Sequence, residues 1–181
     1  MSQQPADPRS GETPVTLIAI SLAFLATFGT ATASAQPQAE EAAILGVVDR
    51  FMTAVSTNDS TGMAQLHLDG AIHIGVSTGA AGATVVNRRG LAPPPADAKP
   101  TVSVRRERYW DPVVHIRGSI AIVWTPYEFW RDGKTTHCGV DVFNLIKQDG
   151  LWRIANMMWT VEPEACAQLR PSDPARVRPP A

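Results

Sequence analysis

Two Asp-Gly pairs, Asp132-Gly133 and Asp149-Gly150, constrain this chain more than any other feature. Each stands between runs of alternating apolar and polar residues. Asp-Gly accepts the positive φ angles that a two-residue hairpin turn needs at both central positions. Together with Arg117-Gly118 these pairs divide the second half into four strand-like runs, about Val102–His115, Ser119–Trp130, Thr135–Lys147 and Leu151–Val161. The pattern predicts an antiparallel meander. Pro126, inside the second run, predicts a bulge or bend, because proline donates no ladder hydrogen bond.

The first half has a different period. Ile44, Val47, Val48, Phe51, Met52 and Val55 recur at steps of three and four, which predicts a helix over about Glu40–Val55 with one apolar stripe. Asn58-Asp59-Ser60 interrupts it and offers an N-cap for a short helix through about Leu68, with Met63 and Leu66 turned inward. Asp69-Gly70 ends that helix, and Ala71–Val76 alternates as a strand does. Residues 77–100, with Pro93-Pro94-Pro95, are expected to form a long loop. The fold class is α+β: N-terminal helices packed on a curved antiparallel sheet.

Upstream, Val15–Phe28 is uncharged and apolar but shorter than a comfortable membrane span, and Ala33-Ser34-Ala35 offers an A-x-A cleavage pattern. Residues 1–35 are therefore expected to be a signal peptide, 36–163 the domain and 164–181 a flexible proline-rich tail. Retention of the segment as an anchor is the alternative. Cleavage would leave no stable membrane span and a periplasmic or secreted protein. The chain carries 16 Lys and Arg against 17 Asp and Glu, and loss of Asp7, Arg9 and Glu12 leaves a formally neutral domain. Such a domain has no electrostatic reason to bind nucleic acid. Cys138 and Cys166 lack metal-ligand spacing, so no metal and no cofactor is expected. A buried free Cys138 is the favoured reading and a disulfide the alternative, one that an oxidising compartment permits.

Placing both Asp-Gly pairs at the centre of their turns sets a register. Leu145 then faces Ile154, Phe143 faces Asn156, and Asp141 faces Met158; on the other side Trp124 faces Asp141 and Glu128 faces His137. One sheet face becomes apolar around Phe143, Leu145 and Ile154 and polar towards Asp141, His137, Asn156 and Glu128. Convergent polar groups above an apolar base suit a small-molecule pocket. Asp141 is the candidate general base, with His137 near the mouth, against the plainer reading of a hydrogen-bonded carboxylate and a strand-end histidine. Trp124, Asn156, Glu128, His73, Phe143 and Met158 are candidate ligand contacts. Arg105-Arg106 with Arg108 reads most simply as a solvated strand edge. The opposite face, with Val123, Tyr127, Phe129, Val140, Val142, Met157 and Trp159, is too apolar for water and predicts a homodimer.

The whole resembles the nuclear transport factor 2-like superfamily, the α+β cone that includes SnoaL-like cyclases, ketosteroid isomerase and scytalone dehydratase. The resemblance covers about residues 40–162. It is carried by Phe51 with Asn58-Asp59, Trp110-Asp111-Pro112, Trp124-Thr125-Pro126-Tyr127, Asp132-Gly133-Lys134, His137 to Asp141 (HCGVD) and Asp149 to Ile154 (DGLWRI). It implies acid/base work by pocket Asp, His and Tyr residues on small, often hydrophobic substrates, and a third helix where residues 77–100 read as loop. The functional expectation is an exported cone that binds a small, largely apolar molecule, with lyase or isomerase activity. The alternative is a non-catalytic binding or assembly module whose pocket is filled.

Overall fold

A computed structural model describes residues 35–91 and 103–178. Of the expected signal segment, residues 1–35, residues 1–34 lie outside the described residues, as does the triple proline. Helix α1 runs Ala35–Thr57 and buries its stripe, Ile44, Val47, Val48, Phe51 and Met52, against Val123, Phe143, Leu145, Ile154 and Met157 of the sheet. Each such side chain contributes about 1.5–3 kcal/mol on burial. Asn58, at φ 56°, ends α1, and the Asp59 carboxylate accepts the Gly62 N–H at 2.8 Å to cap α2 (Ser60–Gln65). That helix is shorter than expected because the chain enters β1 (His67–Thr78) at once. Gly70, at φ 76°, lies where the pairing of β1 shifts register.

The remaining strands are β2 (Thr84–Gly90), β3 (Arg105–Trp110), β4 (Val113–Arg117), β5 (Ile120–Arg131), β6 (Lys134–Gln148), β7 (Leu151–Val161) and β8 (Val177–Arg178). They form one sheet in the order β2-β1-β7-β6-β5-β3-β8, with β4 also on β5. The β1–β7 pair is parallel and the other pairs are antiparallel. The meander forms as the turns predict: Asp132, Gly133, Asp149 and Gly150 all have positive φ.

Four expectations are corrected. Part of the 77–100 loop is strand, since β2 folds back on β1. The Val102–His115 run breaks into two strands at a corner, with Asp111 at φ 46°. Pro126 stays in register with Val140; it sits opposite that corner, between the last β4 partner (Trp124) and the last β3 partner (Tyr127), where neither strand asks for its N–H. The segment 164–178 is ordered against the domain rather than being a flexible tail. Cys166 opens helix α3 (Cys166–Leu169) and is bonded to Cys138, Trp110 Nε1 donates to the Leu169 carbonyl at 2.7 Å, and β8 pairs with β3. Of the two readings of the cysteines, the structure has the disulfide.

The register expected from the turns holds only beside them. Trp130 pairs with Thr135, but Phe129 pairs with His137, so Thr136 is an extra residue and β5 is displaced by one from there on. Leu145 pairs with Ile154, but Asn144 pairs with Asn156, so Ala155 is a second extra residue. Each bulge exchanges the faces of the strand beyond it.

Candidate functional site

The alternation of β6 puts His137, Asp141, Phe143 and Leu145 on the helix-facing side of the sheet. Because of the two bulges, the residues beside Asp141 there are Thr125 and Trp159, not Trp124 and Met158. A cavity of about 260 Å3 opens on this side between α1, α2 and the sheet. Phe51, Tyr127, Phe129, Met157 and Trp159 wall it; Asp141, Glu107, His73 and His137 supply its titratable groups. Gly75 makes room for the Trp159 indole, which a Cβ there would meet at 2.8 Å.

Of the expected site residues, Asp141, His137 and His73 line this cavity and Phe143 closes the core below it. Trp124, Asn156, Glu128 and Met158 do not, and their assignment is corrected. Trp124 (44% exposed) and Met158 are on the outer face. Asn156 accepts a hydrogen bond from Asn144 Nδ2 at 2.7 Å on that face. Glu128 is buried in an ion cluster with Arg108 (2.7 Å) and Arg170, and Thr135 Oγ1 donates to it. Burial alone would raise the Glu128 pKa, but the hydrogen bonds from Arg170, Thr135 and Arg108 hold it down at about 2. This carboxylate fastens the C-terminal segment to the sheet.

Asp141 is the candidate chemical centre. It is 0% exposed, and neither carboxyl oxygen has a hydrogen-bond partner among the described residues. Burial, and then the negative charge of Glu107, push its pKa well above the carboxylate range. Glu107, 7% exposed on β3, is pushed up to about 8 by burial, against the opposing pull of Arg89. Two desolvated acids in one cavity cannot both ionise cheaply, so burial and mutual repulsion favour a shared proton on the pair. Glu107 stands among arginines, so its charge by itself suggests a solvated strand edge. The signal was alternation: Arg105, Glu107 and Tyr109 face in, while Arg106, Arg108 and Trp110 face out.

The histidines differ in kind. His67 is buried, and its Nδ1 lies 2.6 Å from the Met63 carbonyl, which can only accept. That nitrogen therefore carries the proton, and neutral His67 presents a bare Nε2. His73 Nε2 lies 2.9 Å from it and must be the donor, so His73 Nδ1 holds a free lone pair. Burial, then the neighbouring His67 and Arg89, lower the His73 pKa to about 4, which keeps it neutral. His137, half-buried at the mouth, accepts or donates to Thr136 Oγ1 at 2.8 Å and stacks beside Phe129; burial and then Arg131 lower its pKa. Tyr127 donates its hydroxyl proton to the Thr160 carbonyl at 2.8 Å, and burial pushes its pKa far up, so it serves as wall rather than acid.

A larger groove, about 600 Å3, runs between α1, α2 and the start of β7, lined by residues such as Arg50, Thr53, Gln65 and Arg153. It holds none of the buried titratable groups, and the chemistry points to the smaller cavity. Among the described residues no cluster of His, Cys, Asp or Glu could hold a metal ion.

No protein-family model matches the chain, and no curated protein does. Solved structures do. A protein of unknown function from Mycobacterium tuberculosis is similar at 20% identity over 81% of this chain and 87% of its own, with a TM-score of 0.57. A nuclear transport factor 2-like protein with a cystatin-like fold from Novosphingobium aromaticivorans matches at 12% identity over 77% and 96%, with a TM-score of 0.52. A nuclear transport factor 2-like superfamily protein from Salmonella enterica matches at 18% identity over 71% and 93%, with a TM-score of 0.51. The fold is the nuclear transport factor 2-like, cystatin-like cone.

Proposed function

We propose that this nuclear transport factor 2-like cone binds a small, largely apolar molecule on the inner face of its sheet and carries out acid/base chemistry there, as a lyase or isomerase. The observation that carries the reading is Asp141: a fully buried carboxyl with no hydrogen-bond partner among the described residues, in the lining of the cavity. Such a group costs stability, of order 1–3 kcal/mol, and a ligand atom placed beside it would relieve that cost. Perturbed acids in a cleft are the usual arrangement for proton transfer.

In this reading a protonated carboxyl of the Asp141–Glu107 pair delivers its proton to a ligand oxygen. His73 Nδ1, its tautomer set through His67 by the Met63 carbonyl, accepts a proton from carbon. The apolar walls exclude water and fix the ligand's orientation. The open cavity supports binding over the alternative of a filled, purely structural pocket.

Two further parts belong to the proposal. The disulfide between Cys138 and Cys166 suits an oxidising compartment, in keeping with export to the periplasm or medium. The outer face bears Ile120, Ile122, Trp124, Ile146 and Met158, all exposed, and a homodimer through that face would cover them. These are not the residues expected at first: Val123, Tyr127, Phe129, Met157 and Trp159 face inward because of the bulges. Native mass spectrometry of protein isolated from its source tests the binding reading. A retained small molecule, lost in an Asp141→Leu variant that still folds, is the expected result; a ligand-free protein that binds nothing from a metabolite extract would overturn it.

A further inference from the structure

The rim of the cavity is built from three arginines on three strands. Arg89 on β2 stands opposite His73 and holds its guanidinium 5.3 Å from the Trp159 ring centroid. Arg105 on β3 is directly opposite Arg131 on β5, and Arg131 lies 5.9 Å from the Phe129 ring centroid. All three line the cavity that holds Asp141 and Glu107. The ion pairs among the described residues use Arg108, Arg170, Lys147, Arg176 and Arg178, and none of these three. Arg105 makes one long hydrogen bond, from Nε to Ser103 Oγ at 3.4 Å.

Like charges directly opposite each other on neighbouring strands destabilise the sheet. Here such a pair is joined by a third cation at the mouth of a low-dielectric cleft, where field lines are focused and an entering anion is concentrated. The floor has the opposite character. Its two acids resist ionisation, and an anionic group pushed against them would add charge where charge is already excluded. The cavity therefore has polarity along its depth: buried carboxyls at the bottom, aromatic walls, and more exposed guanidinium groups at the entrance.

We infer that the ligand is an amphipathic organic acid, an apolar or aromatic body with one carboxylate at its outer end, held by Arg89, Arg105 and Arg131 while the body lies on Trp159 and Phe129. This rests on the proposed binding function and specifies its substrate class. Guanidinium groups suit the role because their planar forks bind carboxylates in two-point fashion and stack on aromatic faces, as Arg89 and Arg131 do here.

The test is calorimetric titration of the purified full chain with 2-naphthoate and with 2-naphthamide, which share a shape and differ in charge. The carboxylate should bind at least about tenfold more tightly than the amide, with the preference shrinking as salt is raised. In an Arg105→Gln, Arg131→Gln variant the preference should collapse, because the carboxylate loses far more affinity than the amide, and residual amide binding shows that the cavity is still formed. Equal affinities for the two probes, or a carboxylate preference that survives replacement of all three arginines, would overturn the inference and leave the binding function standing. Failure of both probes to bind would count against the cavity as a binding site and against the inference with it.

Discussion

Asp141 and Glu107 concentrate the conflict between stability and chemistry in this molecule. An unpartnered buried carboxyl is a liability that an apolar side chain would remove. Asp141→Val, which keeps a strand-compatible shape, should raise the unfolding free energy by about 1–3 kcal/mol, whereas Asp141→Asn should leave the fold intact and abolish proton transfer. Denaturant melts of the two variants check this; a loss of stability in Asp141→Val would mean that the carboxyl has a partner in solution. Glu107 gives a pH signature. Its folded pKa, about 8, is above its ordinary value, so the folded state holds this proton when the unfolded chain has lost it. Wild-type stability therefore declines relative to Glu107→Gln as pH rises from about 4.5 to 8, by at most about 1.4 kcal/mol per pH unit. His73 acts in the opposite sense on the acid side, since its lowered pKa removes stability as pH falls from its ordinary value towards 4. Comparing unfolding of wild type and Glu107→Gln at pH 5 and 9 isolates the first effect; a difference that does not change with pH would contradict it.

At the scale of elements, β6 organises the site and depends on Gly139. A Cβ there would stand 2.1 Å from the Thr160 carbonyl oxygen and 2.8 Å from its hydroxyl. Gly139→Ala should therefore force β6 and β7 apart and cost about 1–3 kcal/mol, read by thermal unfolding; an unchanged midpoint would mean that the strands already stand further apart. The same strands explain what was legible in the sequence. The Asp-Gly turns and the stripe of α1 predict local geometry, and local geometry formed accordingly. The side-chain parity of β6 also held, so Asp141, His137 and Phe143 were placed on the correct face. Parity failed for their neighbours because both faces of β5 are apolar: Ile122 and Trp124 read as well inward as Val123 and Tyr127, and nothing in that pattern reveals the extra residue at Thr136. In β7 the sign was present, since the buried residues Trp152, Ile154 and Met157 are spaced by two and then three, which marks a bulge. Glu107 was hidden for another reason: its charge reads as solvent-exposed until α1 and the sheet enclose it.

The sheet has two faces to which the proposals assign different roles. The inner one is the cleft; the outer one carries exposed Ile122, Trp124 and Met158 and is the surface proposed for a second copy. Trp124→Glu would bury a charge in such an interface and should convert a dimer to monomers in sedimentation, while leaving the inner cavity untouched; a wild-type monomer would rule the interface out. The C-terminal segment, held by the disulfide and by Arg170 on Glu128, stiffens the strands that carry the site from outside. The proposed function depends on a desolvated acid pair, enclosed by the cone and available to a ligand. The most direct measurement is an NMR pH titration of the side-chain carboxyl carbons, with and without 2-naphthoate. Glu107 is expected to titrate near 8 and Asp141 well above the ordinary aspartate range, and both signals are expected to shift when the ligand enters. Two carboxyls that titrate at ordinary values and ignore the ligand would contradict the proposed function.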